Sequence, residues 1–243
     1  MAAETRGGSE DAGDDAAAET QIMIKETINK LHSELPSTVK LVAVSKFHPS
    51  EAIVEAYEAG QRIFAESRPQ ELQAKVKVLE HLSDIEWHFI GHLQTNKLKM
   101  VLPYVSLIQS VDSVRLLAAI ESWCSANDKV VSVLLEPHVA AEETKQGFAA
   151  EEIYDILSRA SESYPHIRFR GIMGMATFTD DESVINGDFA ALREIFDNCR
   201  SQFPPLAADF NEFSIGMSDD YPLAIAHGST MVRIGSMIFG ERV

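Results

Sequence analysis

Several chemistries are missing from this chain of 243 residues. It holds two cysteines, Cys124 and Cys199, far apart and without CxxC or metal-ligand spacing, so neither a disulfide scaffold nor a metal site is supported. The expected state is a pair of reduced thiols inside helical patterns, as in a cytoplasmic protein. No G-x-G-x-x-G turn follows an apolar run and no G-x-x-x-x-G-K-[ST] loop occurs, which weakens dinucleotide and ATP readings. Basic residues are scarce: 21 Lys and Arg stand against 37 Asp and Glu, a formal net charge of −16. A surface of that sign repels nucleic acid and anionic lipid, so neither is an expected partner. A phosphate-bearing small molecule stays admissible if a local site supplies its own donors. No apolar run approaches membrane-spanning length, and the amino-terminal segment lacks the pattern of an export signal.

What the chain does have is 45% hydrophobic residues, enough for a full core in one domain of this length. Residues 1–20 stand apart: Glu4, Glu10, Asp11, Asp14, Asp15 and Glu19 face a single base, Arg6, among small side chains. Such a segment buries too little to order itself, so 1–20 is expected to be a disordered acidic tail and 21–243 the folded domain.

From Thr20 the pattern is regular. Ile22, Ile24, Ile28, Leu31 and Leu35 predict an amphipathic helix stopped by Pro36. Apolar runs follow at 40–46, 62–67, 86–91, 105–111, 130–138, 167–176, 212–217 and 231–236, with helical stretches such as Glu51–Ala59, Val114–Asn127, Glu151–Ser163 and Phe189–Phe203 between them. Eight strands alternating with helices predict an α/β fold, a TIM (β/α)8 barrel; an open doubly wound sheet is the rival, since periodicity does not show closure.

In such a barrel, chemistry collects at the carboxyl ends of the strands. Lys46 ends the run Leu41-Val42-Ala43-Val44-Ser45, placing an amine at the rim of an apolar site. Desolvation disfavours the ammonium, and a free amine is what Schiff-base chemistry with a carbonyl compound requires. A plain surface charge capping the strand is the alternative. The last two strands end in Gly216-Met217-Ser218 and Gly235-Ser236, where glycine admits close backbone approach and hydroxyls add donors, a combination suited to phosphate. Arg233 lies in the apolar strand Met231–Gly235 and needs a partner there, either an acid or a ligand. Facing a pyridine nitrogen, a guanidinium would keep that nitrogen unprotonated, favouring binding over demanding carbanion chemistry. His88 and His92 fall on a strand and the loop after it, so packing is favoured over a metal pair. Glu136 and His138 are candidates for the mouth, and Met173, Met175 and Met217 for a ring pocket or for core filling.

Whole segments carry a resemblance: Leu41–Lys46, His88–Lys97, Glu142–Phe148, Gly171–Ala176, Ser214–Asp220 and Gly228–Gly235. Together they resemble the YggS/PROSC family of pyridoxal 5′-phosphate (PLP) homeostasis proteins, from about Thr20 to the carboxyl terminus. The resemblance implies a barrel like the N-terminal domain of alanine racemase, PLP as cofactor, no established catalysis, and a cytoplasmic monomer or weak homodimer. PLP-dependent apo-enzymes would be the recipients of the cofactor. It implies Lys46 as the residue forming the internal aldimine. Ser218, Gly235 and Ser236 would hold the phosphate, with Gly228, Ser229 and Thr230 nearby, and Arg233 would face the pyridine nitrogen. Two positions depart from the family pattern. Ser67 stands where an Asn is usual, with a shorter reach toward the ring, and Pro137 removes a backbone donor at the end of a strand. An amino-acid racemase using the same cofactor is the alternative function. The second domain that supplies a tyrosine base in alanine racemases is not expected here.

Overall fold

The structure is a computed structural model describing residues 11–139 and 147–241, with side chains from residue 23 onward. Eight parallel strands close into a barrel in chain order: β1 (Lys40–Val44), β2 (Ile63–Glu66), β3 (Glu86–Phe89), β4 (Leu107–Val111), β5 (Val131–Leu135), β6 (Ile167–Met173), β7 (Glu212–Ser214) and β8 (Met231–Ile234). β8 pairs with β1 over Lys40↔Met231, Leu41↔Val232, Val42↔Arg233 and Ala43↔Ile234. This ladder closes the cylinder and excludes the open sheet. The helices are α1 (Asp11–Glu34), α2 (Ser50–Glu58), α3 (Pro69–Val78), α4 (Val114–Asn127), α5 (Ala150–Ser158), α6 (Ala160–Ser163), α7 (Glu182–Gln202), α8 (Pro204–Ala207), α9 (Tyr221–Ala226) and α10 (Ser236–Phe239).

Local chemistry sets these boundaries. Pro69 and Pro222 occupy first-turn positions, where a missing N–H is harmless. Ser113 caps α4 by accepting from Leu116 N, and Asp128 ends it in the left-handed conformation at φ 50°. Asp181 caps α7, which therefore starts at Glu182, well before the Phe189 expected from periodicity. The stretch expected as one helix over Glu151–Ser163 is broken at Arg159, whose backbone leaves helical geometry and separates α5 from α6. Of the acidic segment, expected to be disordered, residues 1–10 lie outside the described residues, while 11–20 have helical backbone as the first part of α1. Among the described residues no helix is long and apolar enough to cross a membrane.

Strand alternation sorts the core into two clusters. Leu41, Ala43, Phe64, Trp87 and Phe89 point outward to the helices, which bury Ile24, Ile28 and Leu31 of α1 against the same layer. Val42, Val44, Ala65, Leu107, Leu134, Met173 and Met231 form the inner cluster. A hydrogen-bonded column also occupies the barrel interior. Arg233 Nη1 donates to Ser214 Oγ (2.8 Å), Ser214 Oγ to Gln109 Oε1 (2.7 Å), and Gln109 Nε2 lies 2.9 Å from His88 Nδ1. The donors run in one direction, so each buried polar atom in the column is satisfied when His88 Nδ1 accepts. Burial, with Lys40 adding to it, pushes the His88 imidazole down to about 3.

At the β5–β6 ladder Val133 faces Phe169 and Leu134 faces Gly171, so Arg170 is an extra, bulged residue. Gly171 takes φ +151°, and a Cβ there would stand 1.7 Å from Glu212 O. Gly171→Ala is therefore expected to destabilise the fold by roughly 2–4 kcal/mol, read from urea unfolding. His88 generates a second expectation. Its folded pKa lies below the ordinary 6.5, so the unfolded chain binds the proton first on acidification. Its contribution is complete above that pH and is lost as pH falls toward about 3. His88→Asn should flatten the fall in unfolding free energy between about pH 6.5 and 4, by up to ~3 kcal/mol, with an unchanged slope counting against a neutral His88.

Candidate functional site

The carboxyl ends of β8, β1, β7 and β6 surround a cavity of about 570 Å³. The runs expected to extend to 46, 176, 217 and 236 end as strands at Val44, Met173, Ser214 and Ile234, and of the residues beyond those ends Lys46, Met175, Met217, Gly235 and Ser236 line the cavity. Lys46, two residues past Val44, is half-buried and lines the cavity, as do Ser218, Arg233, Gly235 and Ser236. Val44, Ile90, Met173, Met175 and Met217 give it an apolar wall. The methionines thus serve as pocket lining, with Met173 also packed in the inner core.

Arg233 is buried yet charged. Its Nη1 donates to Ser214 O and Ser214 Oγ, both at 2.8 Å, and its Nη2 to Gly174 O at 2.9 Å. Burial lowers its pKa to about 10, while Glu136 and Asp220 act in the opposite sense, so the guanidinium stays protonated at neutral pH. Among the described residues, main-chain carbonyls and a hydroxyl, rather than a contact ion pair with an acid, hold it in place. Three of its five N–H donors are spent in this way. Glu136 is pushed up to about 7, first by burial and then by Asp112, with Arg233 opposing.

Across the cavity lies a cradle of small groups. Ser236 Oγ donates to Ser218 Oγ at 3.1 Å, and a Cβ on Gly235 would come within 3.2 Å of Val44 O. The loop before Ser218 turns through Gly216 at φ +95°, so close to α9 that a Cβ would meet Ala224 Cβ at 2.6 Å. Asp220 Oδ1 accepts from Met217 N (2.6 Å) and fixes the turn. The exposed acids Asp219 and Glu241 border this end. A primary amine, paired hydroxyls beside a glycine, a cationic guanidinium and an apolar wall fit a flat carbonyl compound bearing one anionic group.

Four expected residues fall elsewhere. Gly228, Ser229 and Thr230 precede β8, at its amino end, whereas Gly235 follows it. Five residue-to-residue steps of extended chain, roughly 16 Å, lead from Thr230 to Gly235. Thr230 Oγ1 accepts from Phe213 N at 2.8 Å and Thr230 O from Lys40 N, while Ser229 Oγ is buried 2.9 Å from Ile215 O. Gly228, at φ +81°, ends α9 where Arg193 Nη1 would stand 2.4 Å from a Cβ. These three residues tie β8 to its neighbours and do not reach the cavity. Ser67 does not line it either; its carbonyl packs onto Gly91, where a Cβ would come within 2.1 Å.

Pro137 proves compatible with strand pairing. In its parallel bridge to Phe148, Phe148 N donates to Glu136 O (2.8 Å) and His138 N to Phe148 O (3.0 Å), so the bridge uses the neighbours' groups and needs no N–H from Pro137. Residues 140–146, including most of the Glu142–Phe148 segment, lie outside the described residues. His88 is inside the barrel, while His92 is outside it, with Nδ1 2.9 Å from Asp112 Oδ2 in the wall of a separate cavity of about 790 Å³. Ser214 and Gln109 were not foreseen as supports for Arg233. The signal for Gln109 was a lone amide within the apolar run Leu107-Ile108-Gln109.

Comparison with known proteins agrees with this geometry. The chain is 40% identical over 204 residues to the pyridoxal phosphate homeostasis protein of Helicobacter pylori strain 26695, covering 84% of this chain and 88% of that protein. It is 37% identical over 230 residues to the human protein of the same name, covering 90% and 82%. Among solved structures, PipY of Synechococcus elongatus with PLP bound superposes with a TM-score of 0.83 at 35% identity, over 89% of this chain and 100% of that one. Alanine racemase of Corynebacterium glutamicum shares the fold alone, with a TM-score of 0.66 at 15% identity, over 94% of this chain and 61% of that one. The family model for the N-terminal domain of alanine racemase matches residues 22–243, so the barrel is of that type. On that match and on relatives of this closeness, the chain belongs to the alanine racemase N-terminal domain family, within its branch of pyridoxal phosphate homeostasis proteins.

Proposed function

We propose that this protein holds PLP reversibly as a Schiff base on Lys46 and takes part in PLP homeostasis as a carrier, without catalytic turnover. The observation that carries the reading is the cavity shared by Lys46, the Ser218–Gly235–Ser236 cradle and the charged Arg233. Lys46 Nζ adds to the aldehyde carbon and one water leaves, a reaction reversed by hydrolysis or by an incoming amine. Ser218 and Ser236 hydroxyls, with the main chain at Gly235, take the phosphate. Arg233, protonated across the neutral range, favours an unprotonated pyridine nitrogen and so a weak electron sink. This supports storage and release to apo-enzymes in the cytoplasm over amino-acid chemistry. The likeness to racemases is one of fold.

PLP added to the purified chain should give the visible absorption band of a protonated imine, and borohydride should fix the ligand to Lys46, located by peptide mass spectrometry. Lys46→Ala should abolish both; a modified residue elsewhere would refute the assignment. Ser218→Ala combined with Ser236→Ala should weaken PLP binding on the order of tenfold or more and leave pyridoxal, which has no phosphate, nearly unaffected. Equal loss for both ligands would place the phosphate elsewhere. Sustained exchange of an amino acid's α-proton by the loaded protein would instead establish an enzyme.

A further inference from the structure

Lys46 sits in a turn whose main chain is held from outside the pocket. Ser45, Glu66 and Lys75 are buried between the barrel and α3, on the far side of β1 and β2 from the cavity. Lys75 Nζ has three donors and uses each: to Ser45 O (2.8 Å), Glu66 Oε1 (2.7 Å) and Glu71 Oε1 (2.8 Å). Ser45 Oγ donates to the same Glu66 oxygen (2.6 Å), and Glu71 Oε1 also accepts from Phe47 N (2.6 Å). Ser45 O belongs to the peptide group entering Lys46, and Phe47 N to the one leaving it. One ion pair of α3, Glu71 with Lys75, thus holds both peptide groups that flank Lys46.

The turn needs holding. Phe47 adopts φ +68°, a left-handed conformation that a bulky side chain rarely takes; Asp128, at a helix end, is the other non-glycine with positive φ among the described residues. The Arg68 guanidinium, 4.3 Å over the Phe47 ring, holds that side chain from the start of α3. With Phe47 in an ordinary β or α conformation, the chain after Val44 would leave in another direction and carry the Lys46 amine with it.

We propose that Lys75 and Glu71 are positioning residues for Lys46: by bonding the peptide groups on either side of it, they set the direction and reach of its amine although neither lines the cavity. The inference rests on Lys46 being the residue that captures the carbonyl ligand. It is tested by comparing two ligands on the full chain: PLP, which needs the amine, and pyridoxine 5′-phosphate, which has an alcohol in place of the aldehyde and needs only the pocket. Lys75→Met and Glu71→Ala should weaken PLP binding tenfold or more and slow imine formation, while pyridoxine 5′-phosphate affinity moves less than twofold. Glu71→Gln keeps an acceptor for Phe47 N and should fall closer to wild type than Glu71→Ala. Adding Phe47→Gly to Glu71→Ala should restore part of the imine band, because glycine takes positive φ without strain. An equal loss for both ligands, lower melting temperatures with PLP binding unchanged, or Glu71→Gln matching Glu71→Ala would each overturn the proposal. Should Lys75→Met not fold, the two Glu71 variants decide the matter. Retention of the imine band by Lys46→Ala would instead strike at the assignment of Lys46 and leave the turn's geometry untouched.

Discussion

The pairing of β8 with β1 is the constraint on which the rest of the molecule depends. Its four register pairs place Arg233 beside Val42 and bring the chain after Ile234 alongside the chain after Val44. The amine and the small-residue cradle are separated by most of the sequence and meet only across this seam. Parallel pairing also decides which mouth each loop serves: residues that follow a strand share one end, and residues that precede it share the other. The cavity is lined by residues at the carboxyl ends of strands, such as Val44, Met173 and Arg233, and by residues that follow them, from Lys46 after β1 and Ile90 after β3 to Ser236 after β8.

The interior of the barrel is built as much from polar as from apolar matching. Val42, Val44 and Met231 fill it by volume, but Arg233, Ser214, Gln109 and His88 fill it by a directional chain of donors and acceptors. An isolated buried charge is severely unfavourable, and the guanidinium is tolerated because carbonyls at the ends of β6 and β7 converge on it. The thiols follow a simpler rule. Burial pushes Cys124 up to about 11 and Cys199 up to about 12, which leaves both as inert packing groups.

Much of this was legible in the order of residues. The eight apolar runs correspond one for one to β1–β8, and Lys46, Ser218, Gly235, Ser236 and Arg233 meet in one cavity as their positions at strand ends implied. Gly228, Ser229 and Thr230 were misplaced because a shared motif says that residues travel together, not that they face one mouth; their position ahead of β8 carried the correct answer. Ser67 fell short because its main chain is committed to packing on Gly91. The helix break at Arg159 has no Gly or Pro to announce it. Least visible was the layer beneath α3. Nothing in the order of residues singles out Glu66, Glu71 and Lys75, and only the fold shows Glu66 fully buried and Lys75 nearly so.

Arg233, held among the described residues by carbonyls and a hydroxyl instead of a contacting carboxylate, sets a buried positive charge in the cavity wall of a molecule with a formal net charge of −16. An approaching anion is therefore turned away at long range and drawn in at short range. Dissolved electrolyte screens distant charges far more than it screens a buried one. The encounter rate of a phosphorylated ligand should consequently rise with ionic strength, the reverse of what a basic binding surface would show.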